Sequence, residues 1–292
     1  MFIIKHRKIF VGISVLLVAL SIFSMSYFGL NFGIDFKGGS LLEIQYTGER
    51  PSPLVVENVI KSAGIGSSLI QPVGESGYSI KARDITDAEK NSLLQALGGG
   101  VTEVGFNSVG PSVGAELVKK SIISFILVAL GIILWVAYSF RKVSKPVSSW
   151  KYGITAVLAL IHDVIVTAGV FSLTSHFMGK DIDTLFVVAI LTVLGLSVSD
   201  TIVIFDRIRE NVRTKQSKTF EENVGNSIKQ IYPRSLLTSF TTILALVSLI
   251  IFGPESTRLF AFTLTIGMAV GTYSSICIAS PILVIFKNLQ KK

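Results

Sequence analysis

Residues 185–205 read LFVVAILTVLGLSVSDTIVIF, with a single charge, Asp200. As an α-helix rising about 1.5 Å per residue, this run is about 31 Å long. That matches a bilayer hydrocarbon core of about 30 Å. A water-facing helix of this length carries a polar stripe, and this one has none, so it reads as a membrane span. Working outward, five more runs have the same character: 9–27, 121–140, 152–175, 235–252 and 259–286. None of the five carries a charged residue except 152–175, which holds His162 and Asp163. Six spanning helices are expected.

The composition agrees. Half of the 292 residues are hydrophobic, 16% are charged, and mean hydropathy is +0.63. Soluble domains carry about 25% charged residues, so two soluble globules of this total length are excluded. A single cysteine, Cys277, excludes an internal disulfide and any multi-cysteine metal site. Three histidines without His-x-x-x-His spacing argue against a zinc enzyme.

The net charge of +8 is unevenly placed. Loops on the side of the N-terminus hold 16 basic residues, from Lys5, Arg7 and Lys8 to Lys287, Lys291 and Lys292, against Asp206, Glu210, Glu221 and Glu222. Residues 30–118 hold six basic and ten acidic residues. The positive-inside rule then places both termini in the cytoplasm and 30–118 outside. The positives flank every inner helix end and form no single patch, so nucleic acid is not an expected partner; membrane lipid is. Ser24-Met25-Ser26 resembles a signal-peptide cleavage site, but the preceding 19-residue apolar run exceeds a signal core of about 7–15. An uncleaved first span is expected, giving segments 1–29, 30–118 and 119–292.

Residues 30–118 alternate strand and helix signals: a strand around 41–46, a helix after Ser52-Pro53, strands at 68–73 and 78–82 joined by a Gly74–Gly77 turn, a helix opened by Thr86-x-x-Glu89, and a last strand from Val101. The order βαββαβ is the ferredoxin-like unit. Its scattered acidic residues contain no nucleophile–base pair, and a binding or scaffold role is expected of it. The fold class is thus an α-helical membrane protein with six transmembrane helices and one α+β ferredoxin-like domain between helices 1 and 2.

Ionisable residues inside spans are costly, about 2.5–3.5 kcal/mol even on insertion scales, and so point to function. Asp200 sits about 9 Å inside the inner end of the fourth span. Arg234 opens the fifth span just after Pro233, at a compatible depth, and an Asp200–Arg234 pair is expected. Asp163 lies about 16 Å deep in the third span, and its neighbour His162 either packs or carries a proton. Thr238, Ser239, Thr241 and Thr242 either glue helices or hold water beside the pair. Gly267, Gly271 and Ser275 form a small-residue contact face. Trp135, Tyr138, Trp150 and Tyr152 are placed for an aromatic belt.

Two strings are longer and more specific than these patterns. One is Gly33-Ile34-Asp35-Phe36-Lys37-Gly38-Gly39; the other is Ser197-Val198-Ser199-Asp200-Thr201 continuing to Asp206-Arg207. With Arg234-Ser235-Leu236-Leu237-Thr238 and His162-Asp163, they resemble the SecF side of the bacterial SecD/SecF protein-export family, within the resistance-nodulation-division superfamily. The resemblance runs over essentially the whole chain. It implies a SecD partner, association with the Sec channel SecYEG and its associated membrane subunits, and unfolded preprotein as the substrate. It also implies use of the proton motive force, with protons as the coupling ion and no cofactor or metal. It makes Asp200 and Arg234 proton-pathway residues, with Asp163, Thr201, Thr238 and Thr241 as further candidates. Gly33, Asp35, Phe36, Lys37, Gly38, Gly39, Asp206 and Arg207 are signature positions. Leu196, Ser199 and Leu237 depart from the family pattern, where polar Tyr, Asn and Asn are usual.

Two other functions compete. A small-molecule exporter of the same superfamily needs larger outer domains than 89 residues. An intramembrane aspartyl protease needs two carboxylates sharing a proton, whereas Arg234 would hold Asp200 ionised. No catalytic residue is assigned, and the chain reads as a transport subunit.

Overall fold

The computed structural model describes residues 2–139, 147–215 and 217–289. Arg141, Lys142, Lys145, Lys291 and Lys292, five of the 16 basic residues on the side of the N-terminus, and Phe140, the expected end of the second span, lie outside them. The chain forms two compact units: Met1–Leu30 with Ser124–Met178 and Leu185–Lys292, and Asn31–Ile123 with Gly179–Thr184.

Among the described residues, six helices are long and apolar enough to cross a membrane: Arg7–Phe28, Pro111–Ser139, Ser149–Met178, Thr184–Arg213, Phe220–Phe252 and Ser256–Asn288. We call these the first to sixth spans. All six have similar hydropathy, but their burial separates them. The third and sixth are 56% and 61% buried over their apolar windows, the second and fifth only 6% and 11%. The third and sixth therefore form the centre of the helical unit. The second and fifth bury few of their residues fully and leave the rest partly or wholly exposed.

Small residues allow the close approach at that centre. A Cβ at Gly169 would lie 2.3 Å from Ser21 Cβ, which brings the first and third spans together, and Ser24 Oγ donates to Gly169 O at 2.9 Å. On the sixth span, Gly267 and Gly271 meet Val193 and Ser197 of the fourth. The Gly267, Gly271, Ser275 face is thus a helix contact, as the spacing suggests. Tyr152 differs from expectation. It is fully buried, edge-on to Phe205 at 5.2 Å, whereas Trp135, Tyr138 and Trp150 are exposed.

Two helix starts move. The second span begins at Pro111, ten residues before its apolar run, because Pro fits a first helical position. Its early turns are solvated through the Glu116–Lys120 ion pair at 2.8 Å. The fifth begins at Phe220, where Thr219 and Glu222 form both bonds of a capping box, so Pro233 lies inside the helix and does not open it. An interior Pro costs about 3 kcal/mol. Phe220, Val224 and Ile228, buried on one face of the added turns, contribute about 1.5–3 kcal/mol each and outweigh it. The sixth span is interrupted by a π-helical turn, Ser275–Ala279. Pro281 follows closely; it has no N–H to donate to Cys277 O, which loosens the α-helical ladder there.

In the other unit, β1 (Gly39–Tyr46), β2 (Leu69–Val73), β3 (Gly77–Ala82) and β4 (Val101–Val109) form one sheet in the order β2-β3-β1-β4, with every neighbour antiparallel. Helices Pro53–Ser62 and Asp87–Leu97 complete βαββαβ. Leu42, Ile44, Tyr78 and Ile80 from the central strands pack with Val56, Ile60 and Leu93 from the helices. The Thr86–Glu89 capping box forms as read. Arg83 donates to Glu89, and this bond, then the Thr86 N–H, holds the exposed Glu89 carboxyl down at about 2.

Candidate functional site

The third span buries Asp163 completely. Its Oδ2 accepts from Ser197 Oγ of the fourth span at 2.5 Å and from Ser274 Oγ of the sixth at 2.8 Å. Its Oδ1 lies 3.0 Å from Nδ1 of His162, itself only 6% exposed. One carboxylate thus ties together three spans. The network continues through the sixth span: Ser275 Oγ pairs with Thr201 Oγ1 at 2.8 Å and donates to Ser197 O at 3.3 Å, while Ser280 Oγ donates to Ser275 O at 3.3 Å. Ser274 immediately precedes the π turn, so the interruption sits against the carboxylate.

Periodicity explains which groups converge. On the fourth span, Ser197 and Thr201 are one turn apart and face the sixth. Asp200 lies roughly 60° from Ser197 around the same helix, at the border of that face. It is half-buried, and Ser235 of the fifth span is the group beside it. The Ser235 hydroxyl is buried without completing a hydrogen bond.

The expected Asp200–Arg234 ion pair is not formed. Arg234 precedes Ser235 and is turned about 100° from it. With Ser235 directed inward, Arg234 is exposed and, among the described residues, bonds no carboxylate. Thr238 and Thr241 are exposed on the same helix, each bonded back to a carbonyl one turn earlier, Arg234 O and Leu237 O. Thr242 likewise bonds back to Thr238 O. Ser239 alone of this hydroxyl group reaches another span, meeting Thr272 Oγ1 at 2.6 Å. Among the described residues, Asp163 bonds Ser197, Ser274 and His162, and Asp200 is not one of its partners. Asp163 thus sits in a closed polar centre, while Asp200, half-buried beside Ser235, lies outside its hydrogen bonds.

The signature positions are structural. Asp35 Oδ2 accepts from both the backbone N and Oγ1 of Thr184, each at 2.8 Å, and so caps the helix that Thr184 opens. Gly33 N donates to Ile182 O at 2.8 Å, and Ile182 N to Asn31 O at 2.7 Å. Gly38 and Gly39 have φ of 79° and 132°; their side-chain positions would strike Pro111 and Ala82 O. Phe36 is buried edge-on to Phe32, and Lys37 ends the short helix Ile34–Lys37. Arg207 bonds Gln230 at 2.7 Å and Glu210, and Asp206 lies 3.8 Å from Arg209. The sequence marks neither Ser197, which opens the quoted string, nor Ser274 as a partner of Asp163. Ser197 stands three residues before Asp200 and four before Thr201, a same-face spacing that pointed to it. Ser274 lies one turn beyond Gly271 on the contact face.

Six apolar helices long enough to cross a membrane, with one ferredoxin-like domain and a carboxylate enclosed by the helices, define the class, a multi-pass membrane protein. Comparison with known proteins gives the family. The chain matches "Protein export membrane protein SecD/SecF, C-terminal" over residues 89–289 and the "SecD/SecF GG Motif" over 23–48. It is 38% identical to a protein translocase subunit SecF of Thermobaculum terrenum, covering 98% of this chain and 94% of that one. A SecF subunit of Anaerolinea thermophila is 35% identical with the same coverage. The crystal structure of SecDF, a translocon-associated membrane protein from Thermus thermophilus, superposes with a TM-score of 0.83 at 30% identity. It covers 98% of this chain, which spans only 38% of that longer one. The chain belongs to the SecD/SecF protein-export family.

Proposed function

We propose that this chain is the SecF-type half of a proton-driven accessory to the Sec translocase. In this reading it works with a SecD-type partner and the SecYEG channel on unfolded preproteins, as a transport subunit and not an enzyme. The observation that carries the reading is the placement of charge on the fourth and fifth spans. Arg234 is an exposed cation at the start of the apolar stretch of a helix that is only 11% buried over its apolar window. A cation turned to hydrocarbon costs several kcal/mol, so a second helical bundle is the natural cover for this face. Asp200, half-buried beside Ser235, stands at its edge. Docking the partner half brings polar groups around Arg234 and lowers the dielectric around Asp200. A carboxylate there takes up a proton from one side and releases it to the other as its cover moves.

The same reading puts both termini in the cytoplasm and the βαββαβ domain outside, where the SecD/SecF likeness and the acidic balance of 30–118 support it. The decisive experiment compares export of a slow preprotein in cells depleted of the native protein and supplied with wild type, Asp200→Asn or Arg234→Met. Both variants should assemble with the SecD-type partner yet leave export at the depleted level. Wild-type export by Asp200→Asn would overturn proton coupling through this residue.

A further inference from the structure

We propose that a pocket between the helix Phe2–Lys5 and the early turns of the fifth span's helix binds an acidic phospholipid, with the headgroup phosphate on Lys229 and the headgroup end of an acyl chain on the apolar walls. The pocket holds about 180 Å³. Phe2 and Ile4 line it on one side; Gly225, Ile228, Lys229 and Tyr232 line it on the other. The last four stand at i, i+3, i+4 and i+7 and so share one face of their helix. Ile4 is buried in the same cluster as Val224 and Ile228, which holds the short helix against the fifth span.

The position of the pocket matches a headgroup layer. Phe2–Lys5 precedes the first span and Gly225–Tyr232 the apolar run of the fifth, so both stand at the same membrane face. Tyr232 and Lys229 lie three and six residues before the run 235–252, about 4–9 Å outside it. The headgroup layer adds about 5–8 Å to each side of the hydrocarbon core. Phe2 and Tyr232 are exposed there, and aromatic side chains favour that layer. Apolar walls with one cation suit a ligand that joins an anionic head to a hydrocarbon tail; basic pockets between spans are the usual seats of such headgroups.

The surrounding charge is complementary to that head. Among the described residues, no carboxylate forms an ion pair with Lys5, Lys8 or Lys229. The acidic groups in the first turn of the fifth span's helix are engaged: Glu221 by Arg7 at 3.5 Å and Asn288 at 3.1 Å, Glu222 by the Thr219 cap. They precede Lys229 by about 10–12 Å along the helix, on the side away from the apolar run. Each cation near a membrane surface strengthens binding of acidic lipid about fivefold. Arg234 is turned about 140° from Lys229 around the helix, so the pocket does not occupy the face that a partner bundle would cover. The inference needs only that the first and fifth spans cross one membrane; it does not depend on proton coupling through Asp200.

The test reconstitutes the full chain with Trp135→Phe, Trp150→Phe and Tyr232→Trp, which places its sole tryptophan in the pocket. The bilayers mix phosphatidylcholine and phosphatidylglycerol, each brominated in turn at the headgroup end of its acyl chains. Quenching of the tryptophan then gives the ratio of the two binding constants. The proposal predicts a preference for phosphatidylglycerol of about fivefold or more. Lys229→Gln should take that preference toward parity, whereas Lys229→Arg should keep it. With Phe252→Trp in place of Tyr232→Trp, the tryptophan stands exposed at the opposite end of the same helix and should show no preference. Inorganic phosphate should leave the preference unchanged. Equal quenching by both lipids, quenching by neither because protein covers the pocket, an unchanged preference in Lys229→Gln, the same preference at Phe252→Trp, or displacement by inorganic phosphate would each overturn the proposal.

Discussion

Gly267→Ala tests the packing of the fourth and sixth spans, on which the Asp163 network depends. The new methyl would lie 2.1 Å from Val193 Cγ2, 2.9 Å from Cγ1 and 3.1 Å from Cβ. Carbon atoms in good contact stand about 3.5–4.0 Å apart, so the helices must separate or Val193 must leave its rotamer. Overpacking of this kind costs about 1–3 kcal/mol. Replacing a helical glycine returns about 1 kcal/mol of intrinsic preference. The net expectation is a loss of up to about 2 kcal/mol. Val193→Ala removes both clashing methyls and by itself costs stability, since Val193 is fully buried. The double variant should therefore be less destabilised than the sum of the singles by about 1 kcal/mol or more, the coupling expected of residues in contact. Equilibrium unfolding of the purified chain in mixed micelles measures all three. Gly131→Ala is the control: nothing stands within 4 Å of its added methyl, so it should be neutral or slightly stabilising. A stabilised Gly267→Ala, or singles that simply add, would refute the reasoning.

Other predictions concern the soluble-type elements. Asp35→Ala should lower stability by about 0.5–2 kcal/mol through loss of the cap on Thr184, whereas Asp35→Asn, which keeps an acceptor oxygen, should retain most of it; thermal unfolding distinguishes them. The Glu89 carboxyl is held at about 2 against an ordinary 4.5, first by Arg83 and then by Thr86. A depressed carboxyl contributes stability fully above its unfolded value and loses it as pH falls through the folded one. Amide protection at Thr86 and Glu89, taken relative to the unstructured exchange rate at each pH, should therefore fall between pH 4.5 and about 2, and Glu89→Gln should abolish that acid step. Persistence of the step in Glu89→Gln would assign it to another group.

The spans and the small domain were legible because each rests on local pattern: uncharged runs long enough for a bilayer, period-two strands, and a capping box at Thr86. Helix starts were less legible, because Pro233 follows an amphipathic segment whose value depends on Phe220, Val224 and Ile228 finding a buried cluster. Sequence cannot supply that partner surface. Asp163, Asp200 and Arg234 could be named as ionisable groups within spans, but their pairing could not. Which face of the fifth span turns inward depends on packing: Ser235 takes the inward position and Arg234 the outward one. Ser197 and Ser274 are ordinary hydroxyls in sequence and gain significance only when three helices bring them to one carboxylate. The π turn has a local cause in Pro281, but its position against Ser274 is tertiary.

The central claim is that a protonatable carboxylate at Asp200 couples proton movement to work on the translocase. The most direct measurement is proton flux, followed by a pH-sensitive dye, in vesicles containing this chain, its SecD-type partner, SecYEG and a translocating preprotein. Asp200→Asn, assembled at wild-type level, should abolish the preprotein-dependent flux; undiminished flux would contradict the account.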